Sequence, residues 1–167
     1  MRLGLSLLLM TAALPAWAQQ FNLDLDVPAA HYSEWEAKGI KPAGSISAKA
    51  TVMDLRPDGK WAPVFQFMLK QDKSYASLRV SFSGTATSAR PVLSIKHGDQ
   101  PAIETPIAID IAKGAPVDMV LRWRADRTIE AAAGGVAAKP VVLPFTPTSL
   151  RVVASTIEVK FDDLQFR

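Results

Sequence analysis

Few side chains in this 167-residue chain have the type and spacing to do chemistry. Cleaving a glycosidic bond takes two carboxylates that flank it, one of them held neutral. Two pairs have candidate spacing: Asp24 and Asp26, which alternate on one strand face, and Glu34-x-Glu36. Lyase chemistry on an acidic polysaccharide takes a Tyr or His base, with Arg or Gln to neutralise the uronate. Only His31, His97, Tyr32 and Tyr75 offer that base. Nucleophilic catalysis takes a serine or threonine with a histidine and an acid. No Gly-x-Ser-x-Gly is present.

Each of these has a plainer reading beside it. Alternating carboxylates on a strand are the mark of a solvated face. His97 stands in a His97-Gly98 turn, exposed by default. Binding a sugar asks for aromatic faces with polar groups around them. Tyr32, Trp35 and Trp61 fall in loops or at strand edges and are the aromatic candidates. Core packing is the competing role for Trp35 and Trp61, since tryptophan is highly buried on average. Trp123 sits on the apolar parity of its strand and reads as packing. The outward parities collect Lys49, Arg79, Lys96, Arg122, Arg124 and Arg151, with Ser47, Ser81 and Ser94. If these strands share a sheet, they form a basic, hydroxyl-rich face suited to an anionic glycan. The alternative is an ordinary charged exterior that discourages edge pairing. The candidate ligand-binding set is therefore Tyr32, Trp35, Trp61, Arg79, Arg122 and Arg124.

The elements that must position these residues are strands. Period-two alternation runs through Phe21 to Val27, Ile46 to Val52, Leu78 to Phe82, Val117 to Trp123, Leu150 to Ala154 and Ile157 to Phe161. Ile103, Ile107, Ile109 and Ile111 also share one parity. Turn formers separate the runs: Pro57-Asp58-Gly59, Ser83-Gly84, His97-Gly98-Asp99, Lys113-Gly114, Gly134-Gly135 and the region from Pro140 to Pro147. The stretch Ala62 to Leu69 is apolar on both parities, which predicts a strand covered on both faces or one at the centre of the sandwich. Phe161 is on odd parity but Leu164 and Phe166 on even, which predicts a β-bulge at Asp162-Asp163. The one helical candidate is Ala29 to Lys38, one or two turns capped by Ser33, with a loop as the alternative.

Met1 to Gln19 reads as a basic start, an apolar run and an Ala16-Trp17-Ala18 ending. That is a secretory signal with cleavage after Ala18. The apolar run is too short to span a bilayer. Residues 19–167 are then one domain, long enough to bury a core. No later stretch is a membrane span. With no cysteine, the fold has no disulfide, thiol chemistry or zinc–thiolate site. An exported domain without disulfides fits the bacterial periplasm or secretion from it. The formal charge of +3 falls by one with Arg2 and lacks the basic cluster of a nucleic-acid binder.

The run Val117-Asp118-Met119-Val120-Leu121-Arg122-Trp123-Arg124-Ala125-Asp126-Arg127-Thr128-Ile129-Glu130, then Gly134-Gly135, resembles a hairpin of the concanavalin A-like (laminin G-like) jelly rolls. Leu150 to Phe166 resembles their closing strand pair, whose last strand lies beside the first, here Phe21 to Val27. The resemblance implies an all-β, two-sheet antiparallel sandwich, a fold used for binding sugars and for cleaving polysaccharides. The Glu-x-Asp-x-x-Glu strand of its glycosidases is absent, as are the Gln-x-His and Arg-rich strands of its lyases. Its rim loops often hold calcium. Candidate oxygens here are those of Asp54, Asp58, Asp126, Asp162 and Asp163, with Asp58 and Asp126 as the metal-site expectation and turn formation as the competing role. The leading expectation is an exported carbohydrate-binding module without catalysis or an obligatory cofactor. The alternatives are a divergent hydrolase or lyase of the same fold, and an envelope accessory protein that binds another protein. The partner is accordingly a polysaccharide or an envelope protein.

Overall fold

The computed structural model describes residues 19–167. The signal-sequence expectation falls outside them. In chain order the strands are β1 (Gln19–Asp26), β2 (Tyr32–Lys38), β3 (Gly44–Leu55), β4 (Val64–Gln71), β5 (Ser74–Ser81), β6 (Ser88–Ala89), β7 (Pro91–Lys96), β8 (Ile103–Pro106), β9 (Ile111–Ala112), β10 (Val117–Trp123), β11 (Thr128–Ala133), β12 (Val136–Ala137), β13 (Val141–Val142), β14 (Ser149–Ser155) and β15 (Ile157–Phe166). Among the described residues there is no helix, and none that could cross a membrane.

Two antiparallel sheets make the sandwich. One runs β1-β15-β3-β10-β11-β12, with β13 also on β11; the other runs β2-β14-β4-β5-β7-β8. The short pair β6-β9 stands apart. The alternation seen in the sequence decides which residues meet between the sheets. Ile46, Ala48, Ala50 and Val52 of β3 point inward with Met119, Leu121 and Trp123 of β10. Phe65, Phe67 and Leu69 of β4 and Ala76, Leu78 and Val80 of β5 face them. Phe161 on β15 joins the two layers, its ring 5.9 Å from Phe65 and 5.6 Å from Phe67.

The expected hairpin is β10–β11, and β15 does return beside β1. Trp123 ends β10, donates its indole N–H to the Lys41 carbonyl at 2.9 Å and stacks on Phe166. Gly44 admits that approach: a Cβ there would lie 2.6 Å from the Trp123 ring and 2.5 Å from the Arg167 carbonyl oxygen. The bulge falls where the parity slips. The β15–β3 register shifts between Asp162 and Gln165, and Asp163 takes a positive φ of 51°. Asn22 accepts the Asp163 N–H at 3.0 Å and supports that turn of the backbone.

Three readings of the sequence are corrected. Residues expected to form a short helix are strand β2, because Ser33, Trp35 and Ala37 face inward and Tyr32, Glu34, Glu36 and Lys38 outward. Its inner residues are small or amphipathic, so the alternation is weak, and full pairing with β14 decides the conformation. The isoleucine run is not one strand. It divides into β8 and β9 around a tight turn in which the Ile109 N–H binds the Ile107 carbonyl at 2.8 Å. The closing strands β14 and β15 do not pair as a hairpin; the chain changes sheet between them at Thr156.

Candidate functional site

The outer face of the six-stranded sheet carries the site. Strand β4 lies near its middle, as its double apolar parity implied. Its inner residues fill the core, while Val64, Gln66, Met68 and Lys70 face out, half-buried. Cross-strand register builds rows on this face. One row is Tyr32, Ser155, Val64 and Ser81; the next is Glu34, Val153, Gln66, Arg79 and Val92; the third is Glu36, Arg151, Met68, Ser77, Ser94 and Glu104. A groove of about 470 Å³ follows β4 across these rows, from Tyr32 and Trp61 at one end to Lys70 at the other. Its volume lies within the range of small-ligand sites.

The aromatic end is well exposed: Tyr32 keeps 66% of its surface accessible and Trp61 44%. Such large apolar side chains in solvent are informative, because burial is their usual fate. Trp61 is presented by a side-chain-capped turn. Asp58 Oδ1 accepts the N–H of Lys60 at 2.9 Å and of Trp61 at 2.6 Å. The Trp61 N–H is the main cause holding the Asp58 carboxyl below its ordinary pKa, outweighing the opposing effect of burial. A lowered carboxylate pKa means the cap is at full strength above the unfolded-state value and is lost as pH falls through the folded one. The Trp61 amide is therefore expected to lose protection, measured as its intrinsic exchange rate at each pH divided by the observed rate, as the solution is acidified through the carboxylate range. Asp58→Asn, which keeps an acceptor oxygen, is expected to remove that dependence. Amide exchange followed by NMR across pH measures both.

Polar groups line the other wall. Arg151 binds Glu34 and Glu36 at once, at 3.0 Å to Glu34 Oε2 and 2.9 Å to Glu36 Oε1. Burial would raise the Glu36 carboxyl, but Arg151, with help from Lys38, holds it below its ordinary pKa. The Glu34-x-Glu36 pair, which the sequence placed in a helical turn or loop, thus stands on a strand and faces outward. Glycoside hydrolysis requires one neutral acid, whereas Arg151 holds Glu36 toward its ionised form.

The other expected site residues are scattered. Trp35 turns inward, its ring 5.4 Å from Phe21 and 6.3 Å from Phe166. Arg79 shares the outer face, but its guanidinium reaches across β7 to Glu104. Beside that bridge Ser77 and Ser94 are opposite each other and fully buried, with no hydrogen-bond partner for either hydroxyl. Arg122 and Arg124 lie on the far side of the sandwich, on and just beyond β10. Arg122 borders a separate hollow of about 260 Å³ with Val120 and Pro140, and Arg124 pairs with Glu130. The basic face therefore divides between the two sheets. Asp24 and Asp26 are also on the other sheet, facing Lys160 and Arg56.

Asp126 Oδ1 accepts the Thr128 N–H at 2.9 Å, the chief cause of its lowered pKa, and so shapes the β10–β11 turn. Among the described residues no three His, Cys, Asp or Glu side chains group to hold a metal ion. Asp58 and Asp126 each cap a turn through backbone N–H groups. Residues that sequence reasoning left out of the ligand-binding set are Glu34, Gln66, Met68, Lys70 and Arg151. The even parity of the doubly apolar β4 segment was the available signal for two of them, Gln66 and Met68.

No family model and no curated protein matches the chain. Solved structures do. An alginate lyase of Pseudomonas aeruginosa superposes with a TM-score of 0.57 at 12% identity, over 75% of this chain and 64% of that one, so this chain spans less than two thirds of the lyase. A galectin of Caenorhabditis elegans gives 0.57 at 9% identity, over 86% of this chain and 95% of the galectin. A homodimeric agglutinin from chicken liver gives 0.57 at 12%, over 81% of this chain and all of the agglutinin. At such identities the likeness concerns the backbone alone. It agrees with the strand order, the β10–β11 hairpin and the return of β15 to β1: the chain has the concanavalin A-like jelly-roll fold.

Proposed function

We propose that the protein is an exported carbohydrate-binding module without catalytic activity. The observation that carries this reading is the groove on the six-stranded sheet, where exposed Tyr32 and Trp61 stand at one end and polar Glu34, Gln66, Lys70 and Arg151 are interspersed with apolar Val64, Met68 and Val153. Pyranose rings have an apolar face that packs on aromatic rings and hydroxyls that need donors and acceptors. Gln66 supplies both, and Arg151 and Glu34 supply charge-assisted partners. Both Glu34 and Glu36 are engaged by Arg151, and the lowered pKa of Glu36 supports binding over hydrolysis. Fold likeness to both sugar-binding proteins and polysaccharide-cleaving enzymes is compatible with either.

Affinity electrophoresis of the purified protein through gels containing neutral or acidic polysaccharides tests the proposal. Retardation by at least one of them, without release of reducing ends or unsaturated products, is the expected result. No retardation on any would refute it. Export is tested separately. Protein recovered from the periplasm or medium is expected to begin at Gln19, and an intact Met1 on the exported form would sink the signal assignment.

A further inference from the structure

Resting on the glycan-binding reading above, we infer that the ligand is an acidic polysaccharide, and that Lys70 and Lys96, on either side of Tyr75, take one of its anionic groups at the end of the groove away from Trp61. The argument begins with register. A fourth row on the outer face runs Lys38, Ser149, Lys70, Tyr75 and Lys96, with each neighbour a direct cross-strand partner. Directly opposed residues on antiparallel strands point to the same side of a sheet. Lys70 and Lys96 are separated by two inter-strand steps, about 9–10 Å between backbones. Their four-carbon stems are flexible, so both ammonium groups can converge on one anion above the phenol between them.

The second observation is charge balance. Most cations on this face are already neutralised. Arg151 is taken by Glu34 and Glu36, Arg79 by Glu104 and Lys73 by Asp99. Lys38 leans on Glu36 at 3.6 Å. Among the described residues neither Lys70 nor Lys96 has a carboxylate partner. The acids nearest in sequence are Asp72, in the β4–β5 turn, for Lys70 and Asp99, which pairs with Lys73, for Lys96. Two half-buried lysines without a counter-charge, flanking an aromatic ring, form a ready anion site.

The third is continuity. Lys70 lines the same groove as Tyr32 and Trp61. From Val64 to Lys70 the strand extends about 20 Å. A chain of several sugar units laid along β4 would stack at Trp61 and bring a carboxylate or sulfate to Lys70. Arg122 and Arg124, on the opposite sheet, take no part.

The test compares the full-length mature protein with K70M/K96M and W61A, on polygalacturonate and chondroitin sulfate as acidic probes and laminarin as the neutral one. Single-stranded DNA and phosphatidylglycerol vesicles serve as polyanion controls, and R122M as a control on the far face. Two charge-assisted contacts predict a loss of at least about tenfold on an acidic glycan in K70M/K96M, with R122M and laminarin binding unchanged. Wild-type affinity for the acidic probe should also fall as salt is raised. If laminarin binds as tightly as the acidic glycans and K70M/K96M matches wild type, the acidic-ligand inference fails while glycan binding stands. If no glycan of either class is retained by wild type, the functional reading itself fails. Equal lysine-dependent binding to DNA or vesicles overturns the assignment of a glycan ligand. Unchanged thermal melting of K70M/K96M shows that a loss comes from the site.

Discussion

Phe161→Ala is expected to lower the stability of the fold by about 3–5 kcal/mol. Phe161 is fully buried, and its ring meets Phe65 and Phe67 from the opposite sheet. Truncation removes both the transfer free energy of the ring and the contacts of the atoms around the void. Neither sheet can readily close the gap, since each is tied by its own ladder on both sides of the ring: β15 pairs with β1 and β3, and β4 with β14 and β5. A domain of this size is stable by only about 5–15 kcal/mol, and a chain without cysteine has no disulfide to restrain its unfolded state. Urea unfolding followed by far-UV circular dichroism measures the effect as a lower midpoint at unchanged slope. A loss under about 1 kcal/mol would mean that the two sheets are not joined through this ring.

Trp61→Ala should act on binding and leave stability nearly untouched. Nearly half of the Trp61 surface is open to solvent, so little core packing is lost with it. Truncating a tryptophan that anchors a contact commonly costs about 2 kcal/mol, about thirtyfold in affinity. Trp35→Ala is the contrasting variant. Its ring packs, partly buried, between Phe21 and Phe166 against the core, so it should lower the melting temperature. Affinity electrophoresis and thermal melts of the two variants separate the roles. Full glycan retention by Trp61→Ala would move the binding site off this groove.

Much of the fold is legible from local pattern. The alternation of β3, β10 and β15 leaves one choice of inward face, because shifting a strand by one residue would expose its whole apolar set. The parity slip at Asp162-Asp163 marks the bulge for the same reason: two consecutive exposed residues cannot both belong to a regular half-buried strand. Strand β2 was harder to read. Tyr32-Ser33-Glu34-Trp35-Glu36-Ala37-Lys38 has a weak apolar parity, and its conformation depends on Arg151 and the rest of β14, more than a hundred residues away.

The site was only half legible. Tyr32 and Trp61 could be named as non-core aromatics, and Arg79 and Arg122 as outward cations, because each property depends on a residue and its immediate neighbours. Which of them meet depends on strand order, and strand order is set by pairings between distant segments. That order puts Trp61 and Tyr32 beside Gln66, Met68 and Lys70, takes Arg122 and Arg124 to the opposite sheet, and packs Trp35 against the core. By itself the sequence determined an all-β fold with its inward faces. Only the tertiary structure decided which outward faces share a surface, since period-two alternation tells the side of a strand and carries no information about its neighbour.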